Sequence, residues 1–191
     1  MSTLWLCSSD SLVTTGIEIV PVTTRELDLL SALFATSRGV NGCWCMWPLR
    51  PPLTHRPDEK GNKAALQALI ESGRSPGLIG VAQGRAVGWC AVGPRRRYPQ
   101  YADTGGPGEA WAVPCIYIRP TADRPAVAHA LLDAAAELAK ANGAAVLDGP
   151  PPWWLPGDAA AIALATQTFV ETGFVKTGAG ARMPELKRML R

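Results

Sequence analysis

The run Cys115-Ile116-Tyr117-Ile118-Arg119-Pro120-Thr121-Ala122-Asp123-Arg124-Pro125-Ala126-Val127-Ala128 constrains the fold more than any other part of this chain. Its β-branched start reads as a strand, Pro120 marks a turn, and the Ala/Leu-rich sequence that follows opens a long helix. A strand that feeds into a helix presents unpaired backbone N–H groups and the positive end of the helix dipole at the junction. Such a junction is a seat for a phosphate or pyrophosphate. The helix is predicted from about Pro125 to Asn142, with Gly143 as its stop. His129, Asp133, Glu137 and Lys140 form a polar stripe at helical spacing, opposite Val127, Leu131, Leu138 and many alanines.

The flanking sequence repeats the alternation of strand and helix. Residues 1–15 read as a loose lead-in and residues 16–191 as one domain, the default for a chain of 191 residues. Ile17 to Val22 is a β-rich run, and Thr23-x-x-Glu26 is a capping box ahead of a helix with Leu27, Leu30, Leu33 and Phe34 on one face. Residues 37–61 read as Gly/Pro-rich loop around Gly42-Cys43-Trp44-Cys45-Met46-Trp47-Pro48. Asn62 is placed to cap a second helix with Leu66, Leu69 and Ile70 inward, stopped by Gly73. Leu78–Ala82 and Ala86–Val92 are strands joined by a hairpin at Gln83-Gly84-Arg85. A polar loop over 94–110 precedes a strand from Trp111 to Ile118, in which Pro114 predicts a bulge or an edge. Ala144–Asp148 is a short buried strand. After Pro150-Pro151-Pro152-Trp153-Trp154, Asp158 opens a last helix ending at Gly173, and Phe174–Thr177 and Met183–Met189 are the final strands. This order predicts an α/β (α+β) domain: a mixed sheet covered by helices.

Composition narrows the partners. The net charge of +3 is too mild to imply nucleic acid, and no stretch approaches a membrane span, so neither is expected as a partner. The pI near 8.7 suits an anionic ligand without requiring one. Five cysteines, at 7, 43, 45, 90 and 115, cannot all pair, and three lie in apolar stretches. Free thiols in a reducing compartment are expected. With no basic, apolar leader at the N-terminus, the reading is cytoplasmic. Cys43-x-Cys45 with His55 falls short of the paired ligand spacing of a zinc site, so no metal is expected.

The pattern Ile116-x-Ile118-x-Pro120-x-x-Asp123-x-x-Ala126-x-Ala128 resembles the acetyl-CoA signature of the GNAT N-acetyltransferases. The Gly42-Cys43-Trp44-Cys45-Met46 string is similar to one found in a bacterial GNAT subgroup, as are Gly84 to Cys90 with Trp89 and the following Pro94 to Pro99 with Tyr98. Phe169-x-x-x-Gly173-Phe174 resembles the family's end-of-helix string. The resemblance implies a mainly antiparallel central sheet flanked by helices, with central strands that splay apart. It implies N-acetyl transfer from acetyl-CoA to a small-molecule or peptide amine by direct attack, with a homodimer left open. Ile116, Tyr117 and Ile118 would pair with the pantetheine arm through main-chain groups. Ala126, Val127 and Ala128 would meet the pyrophosphate, with Arg124 or Arg119 supplying positive charge. Phe169 stands where many members carry a Tyr and Ile162 where many carry Asn. Cys43, Trp44, Cys45, Trp89 and Tyr98 would lie beside the acceptor.

Three residues at the helix start depart from that pattern. Asp123 puts a carboxylate where the family has a cation or an amide, Pro125 removes an N–H, and Ala126 adds a Cβ where the family has Gly. Two unit charges about 5 Å apart interact by roughly 3 kcal/mol at an effective dielectric of ~20. Asp123 reads first as a helix N-cap. The departures keep a competing class in view: a non-catalytic fold of the same kind, or a site for another acyl donor. For the proton acceptor, Glu109 just ahead of the central strand is the first candidate, against a plain surface carboxylate, and Asp148 is the reserve. Arg95-Arg96-Arg97 reads as a solvated loop or an attractor of an acidic substrate. Trp153 and Trp154 read as a cleft wall or as packing on the sheet edge.

Overall fold

A computed structural model of the chain describes residues 12–14, 16–51, 56–99, 101, 109–150, 159–177 and 185–190. Cys7, His55, Trp153, Trp154 and Asp158 lie outside the described residues. The strands are β1 (Leu12–Thr14), β2 (Ile17–Pro21), β3 (Gly77–Ala82), β4 (Arg85–Pro94), β5 (Ala110–Ile118), β6 (Val146–Asp148), β7 (Val175–Thr177) and β8 (Glu185–Met189). The helices are α1 (Leu27–Phe34), α2 (Arg38–Cys43), α3 (Glu59–Glu71), α4 (Arg124–Ala141) and α5 (Ala159–Glu171). One sheet runs in the order β1-β2-β3-β4-β5-β6-β8-β7. Its pairs are antiparallel except β5 with β6, which run parallel. This is the mixed, mainly antiparallel sheet flanked by helices that the sequence predicts.

Period-two alternation divides the core between the two faces. Leu78, Cys90, Val92, Val113 and Ile118 face α4 and pack with Val127, Leu131, Leu132 and Ala135. Ile79, Trp89 and Ala91 face the other way and pack with Leu30, Leu33, Phe34, Leu66 and Ile70 of α1 and α3. Gly88 lets α4 settle on the sheet. A Cβ there would stand 2.6 Å from Val127 Cγ1 and 2.8 Å from Leu131 Cδ1.

Local signals explain most elements. Thr23 and Glu26 form the predicted capping box: the Thr23 hydroxyl accepts from the Arg25 N–H at 3.2 Å, and Glu26 Oε2 accepts from the Thr23 N–H at 2.8 Å. Gln83 (φ 51°) and Gly84 (φ 71°) make the two-residue hairpin turn between β3 and β4. Gly73 and Gly143 stop α3 and α4 at φ 75° and 78°. Pro114 does sit at a bulge. Ala91 pairs with Cys115 and Gly93 with Ala112, so Val113 and Pro114 together oppose Val92.

Three expectations change. The stretch 37–61, read as loop, contains α2 and a 3₁₀ turn at Trp47–Leu49, because local hydrogen bonds close where glycines weaken the periodic signal. Asp58, not Asn62, caps α3: its Oδ1 accepts from the Gly61 N–H at 3.0 Å. Asn62 is instead buried and donates to Gly42 O at 2.9 Å and Arg56 O at 3.1 Å, tying α3 to the end of α2. Within the expected lead-in, Leu12–Thr14 adds an edge strand beside β2. No helix among the described residues is long and apolar enough to cross a membrane.

Candidate active site

The parallel pair β5–β6 is joined only over Ala110–Ala112 and Val146–Asp148. β5 continues to Ile118, still paired with β4 on its other edge. β6 stops at Asp148, and the next residue turns away, with the Gly149 N–H donating to Leu186 O at 2.7 Å. From Val113 onward the β6-facing edge of β5 has no ladder partner among the described residues. The two strands therefore fork beyond Ala112, and the bulge at Val113–Pro114 lies at the crotch. Ile116 and Ile118 send side chains toward the α4 face, Cys115 and Tyr117 toward the α1–α3 face. The Tyr117 hydroxyl shares a 2.7 Å hydrogen bond with Thr36 Oγ1 at the end of α1.

Asp148 stands at this fork. Its Oδ2 accepts from Arg95 Nη1 at 3.0 Å, with both side chains largely buried. Its Oδ1 is buried with no hydrogen-bond partner among the described residues. A buried carboxylate oxygen left unpaired is costly, so this atom is chemically unfinished. Nearby, the Tyr101 hydroxyl donates to Gly149 O at 2.8 Å, and burial pushes its phenol well above the usual range. Glu109 is placed differently. It precedes β5 at the closed end of the fork, is partly exposed and pairs with Arg96.

The start of α4 caps itself. Asp123 Oδ1 accepts from the Ala126 N–H at 3.2 Å, Asp123 O accepts from the Val127 N–H at 3.0 Å, and Pro125 has no N–H. Of the first turn, this leaves the N–H of Arg124. Asp123 is thus the N-cap that the sequence predicts. Arg124 is exposed, whereas Arg119 turns inward, Nε donating to Ala86 O at 3.0 Å. Phe169 is buried edge-on to Phe174, with ring centroids 5.0 Å apart, and Ile162 is half-buried on α5.

On the α1–α3 face a cavity of about 250 Å³ opens against β4. Cys45, Pro48, Leu49, Leu69, Pro76, Trp89, Ala91 and Tyr98 line it together with Arg74 and Arg97. The wall formed by the Cys/Trp loop is held in an uncommon conformation, Trp44 and Cys45 having φ 48° and 52°. Three indoles fix it. Trp44 packs edge-on to Phe34 at 5.3 Å, Trp89 Nε1 donates to Cys45 Sγ at 3.0 Å, and the buried Trp47 indole lies beside the Cys115 thiol. Hydrogen bonds from Cys45 and then Trp47 hold the Cys115 thiol below the usual thiol range, against its desolvation. Burial raises Cys43, Cys45 and Cys90. All four described cysteines are free thiols, and no group of three metal-ligating side chains gathers among the described residues.

Of the residues expected beside an acceptor, the fold brings Cys45, Trp89 and Tyr98 to one cavity, and Cys43 and Trp44 are not part of its lining. Sequence reading did not single out Arg74, Leu49 or Leu69 as functional. Nothing in their local pattern marks them, since Arg74 follows a helix stop and the leucines read as packing.

No family model and no curated protein sequence matches this chain. Solved structures do. The GNAT domain of S. lividans PAT matches with TM-score 0.61 at 13% identity, over 91% of this chain and 90% of that one. A GNAT family acetyltransferase from Streptococcus agalactiae matches with TM-score 0.60 at 13% identity, over 94% and 99%. N-acetylglutamate synthase from Neisseria gonorrhoeae, complexed with coenzyme A and L-arginine, matches with TM-score 0.53 at 16% identity, over 93% of this chain and 34% of that one. At these identities the likeness is one of fold, and the fold of this chain is that of the GNAT acetyltransferases.

Proposed function

We propose that this chain is an N-acetyltransferase that takes its acetyl group from acetyl-CoA and passes it to an amine of a small-molecule or peptide acceptor. The observation that carries the reading is the fork between β5 and β6, with Asp148 at the crotch and its Oδ1 without a hydrogen-bond partner among the described residues. The edge of β5 from Cys115 to Ile118, unpaired on its β6 side among the described residues, supplies main-chain N–H and C=O groups for the amides of a pantetheine arm, a role these residues fill whatever their side chains. The crotch then receives the thioester. Asp148 Oδ1 accepts the proton of the incoming ammonium, leaving a neutral amine. The amine's lone pair forms the C–N bond as the C–S bond breaks, and the second amine proton ends on the leaving CoA thiolate through water. A thiol with pKa near 8.5 leaves without a dedicated acid, so the absence of a hydroxyl at Phe169 is tolerable. Glu109 remains a candidate for a later step in proton removal to solvent, since it sits at the outer, closed end of the same strand pair.

One observation favours a second reading. Asp123 already occupies the Ala126 N–H, and Pro125 offers none, so the start of α4 has less to give a pyrophosphate than an uncapped helix would. The alternative is a non-catalytic protein of this fold. Calorimetric titration of the full chain with CoA and acetyl-CoA, followed by mass spectrometry of a panel of amines, separates them. Binding of both, with CoA released as an amine gains 42 Da (the mass of one acetyl group less one hydrogen), is the expected result. Absence of binding at millimolar CoA selects the non-catalytic reading.

A further inference from the structure

The geometry points to the cavity between the Cys/Trp loop and β4 as a binding site for a small molecule that joins an apolar body to a carboxylate, which Arg74 and Arg97 receive. The inference deepens the acetyltransferase reading, on which it rests only for the statement that this molecule is the acceptor.

The walls argue for the apolar body. Pro48, Leu49, Leu69, Pro76, Ala91 and the Trp89 ring supply most of the lining. At about 250 Å³ the cavity lies just under the usual range of ligand pockets, which suits a small guest.

The charges argue for the carboxylate. Among the described lining residues the two charged ones are both guanidinium groups. Arg74 comes from the turn after α3 and Arg97 from the 3₁₀ turn after β4. Arg74 Nε is steadied by the Ser72 hydroxyl at 3.1 Å. Arg97 is brought in over Gly93, where a Cβ would stand 3.3 Å from Arg97 Nη1 and 3.0 Å from the Tyr98 hydroxyl oxygen. The missing side chain at 93 is what lets the guanidinium and the phenol lie side by side at the cavity wall. Burial holds the Arg97 guanidinium below its usual range, and the charges of Arg74 and Arg96 push the same way. A carboxylate between the two arginines would neutralise that repulsion and accept from a planar donor fork. Tyr98, kept neutral by burial, adds a hydroxyl beside it.

The position argues for an acceptor. Arg95, two residues before Arg97, reaches Asp148 at the fork, so one turn carries a group to each place. Cys45 and Ala91 border both regions: Cys45 bonds the Cys115 thiol and Ala91 pairs with Cys115 on β5. A guest seated by its carboxylate in the cavity would extend its amine along β4 toward the crotch.

The test uses the full chain and two probes that differ in one charge, 3-phenylpropanoate and 3-phenylpropanamide, titrated by calorimetry without CoA. The carboxylate is expected to bind, and the amide to bind at least tenfold more weakly. Arg97→Gln and Arg74→Gln should each weaken the carboxylate about tenfold and leave the amide unchanged. Equal binding of the two probes, binding of neither, or variants that bind the carboxylate as the wild type does would overturn the inference. The wild-type comparison decides the matter even where a variant fails to fold. A parallel CoA titration separates the two readings. Charge-dependent probe binding without CoA binding keeps the site and removes the acetyltransferase, whereas CoA turnover with indifferent probes does the reverse.

Discussion

Three consecutive arginines have three separate partners. Arg95 is buried against Asp148, Arg96 reaches Glu109 at the surface, and Arg97 lines the cavity. As a run of like charge they read as a solvated loop, and only Arg96 behaves as one. The Arg95–Asp148 pair should therefore be the sensitive one. Arg95→Met strands a buried carboxylate, and chemical denaturation should show a loss of about 3 kcal/mol, against less than about 1 kcal/mol for Arg96→Met. On the proposed chemistry, Asp148→Asn should lower acetyl transfer by about 10²–10⁴-fold with acetyl-CoA affinity preserved, while Glu109→Gln should cost less than about tenfold. Steady-state kinetics alongside calorimetry checks both. The opposite ranking would return the role of base to Glu109.

At the scale of elements, α4 is anchored at both ends of its function. Gly88 admits Val127 and Leu131 against β4, and Asp123 closes the N-terminal turn. Gly88→Ala should destabilise by about 1–3 kcal/mol, because the intruding Cβ must push back a packed helix. Asp123→Gln should act in two directions. It loses a cap worth about 1 kcal/mol, read as a lower denaturation midpoint, and it frees the Ala126 N–H while removing a negative charge. CoA affinity should then rise by about tenfold, with pantetheine little affected because it carries no pyrophosphate. A fall in stability with no change in CoA affinity would show that this helix start is a cap and not a seat.

Across the whole molecule, the thiols set a direction for pH. Burial raises Cys43, Cys45 and Cys90 above the ordinary thiol range, while Cys115 is lowered by its hydrogen bonds. Above about pH 8.5 the unfolded chain releases these protons, and the folded chain keeps those of the raised group, so the folded state binds more protons and stability falls as pH rises. Each thiol kept protonated contributes about 1.4 kcal/mol per pH unit to that fall. Cys115 works the other way: between its folded value and about pH 8.5 it is ionised only in the folded chain, which favours folding as pH rises. Thermal melts from pH 7 to 10 should show a steepening loss above pH 8.5, and Cys90→Ala should flatten it.

The sequence by itself determined the elements whose causes are local. The capping box at Thr23, the glycine stops at Gly73 and Gly143, the hairpin at Gln83–Gly84, the bulge at Pro114 and the cap at Asp123 each follow from a side chain acting within a few residues of its own position. So did the strand–turn–helix at 115–128 and, through it, the resemblance of fold. Reading failed where short range was ambiguous, as at α2 and the start of α3, where Asp58 and Asn62 are both good caps and only packing against Gly42 and Arg56 assigns them. The splay of the central strands came only through the resemblance, and neither the place of the fork, the unfinished oxygen of Asp148 nor the cavity could be read from the residues. Those depend on where β6 leaves β5, and on Arg74 and Arg97 reaching one cavity from turns far apart in the chain. Distances along the chain fix what a residue can do to its neighbours, and only the folded sheet decides which distant charges share a wall.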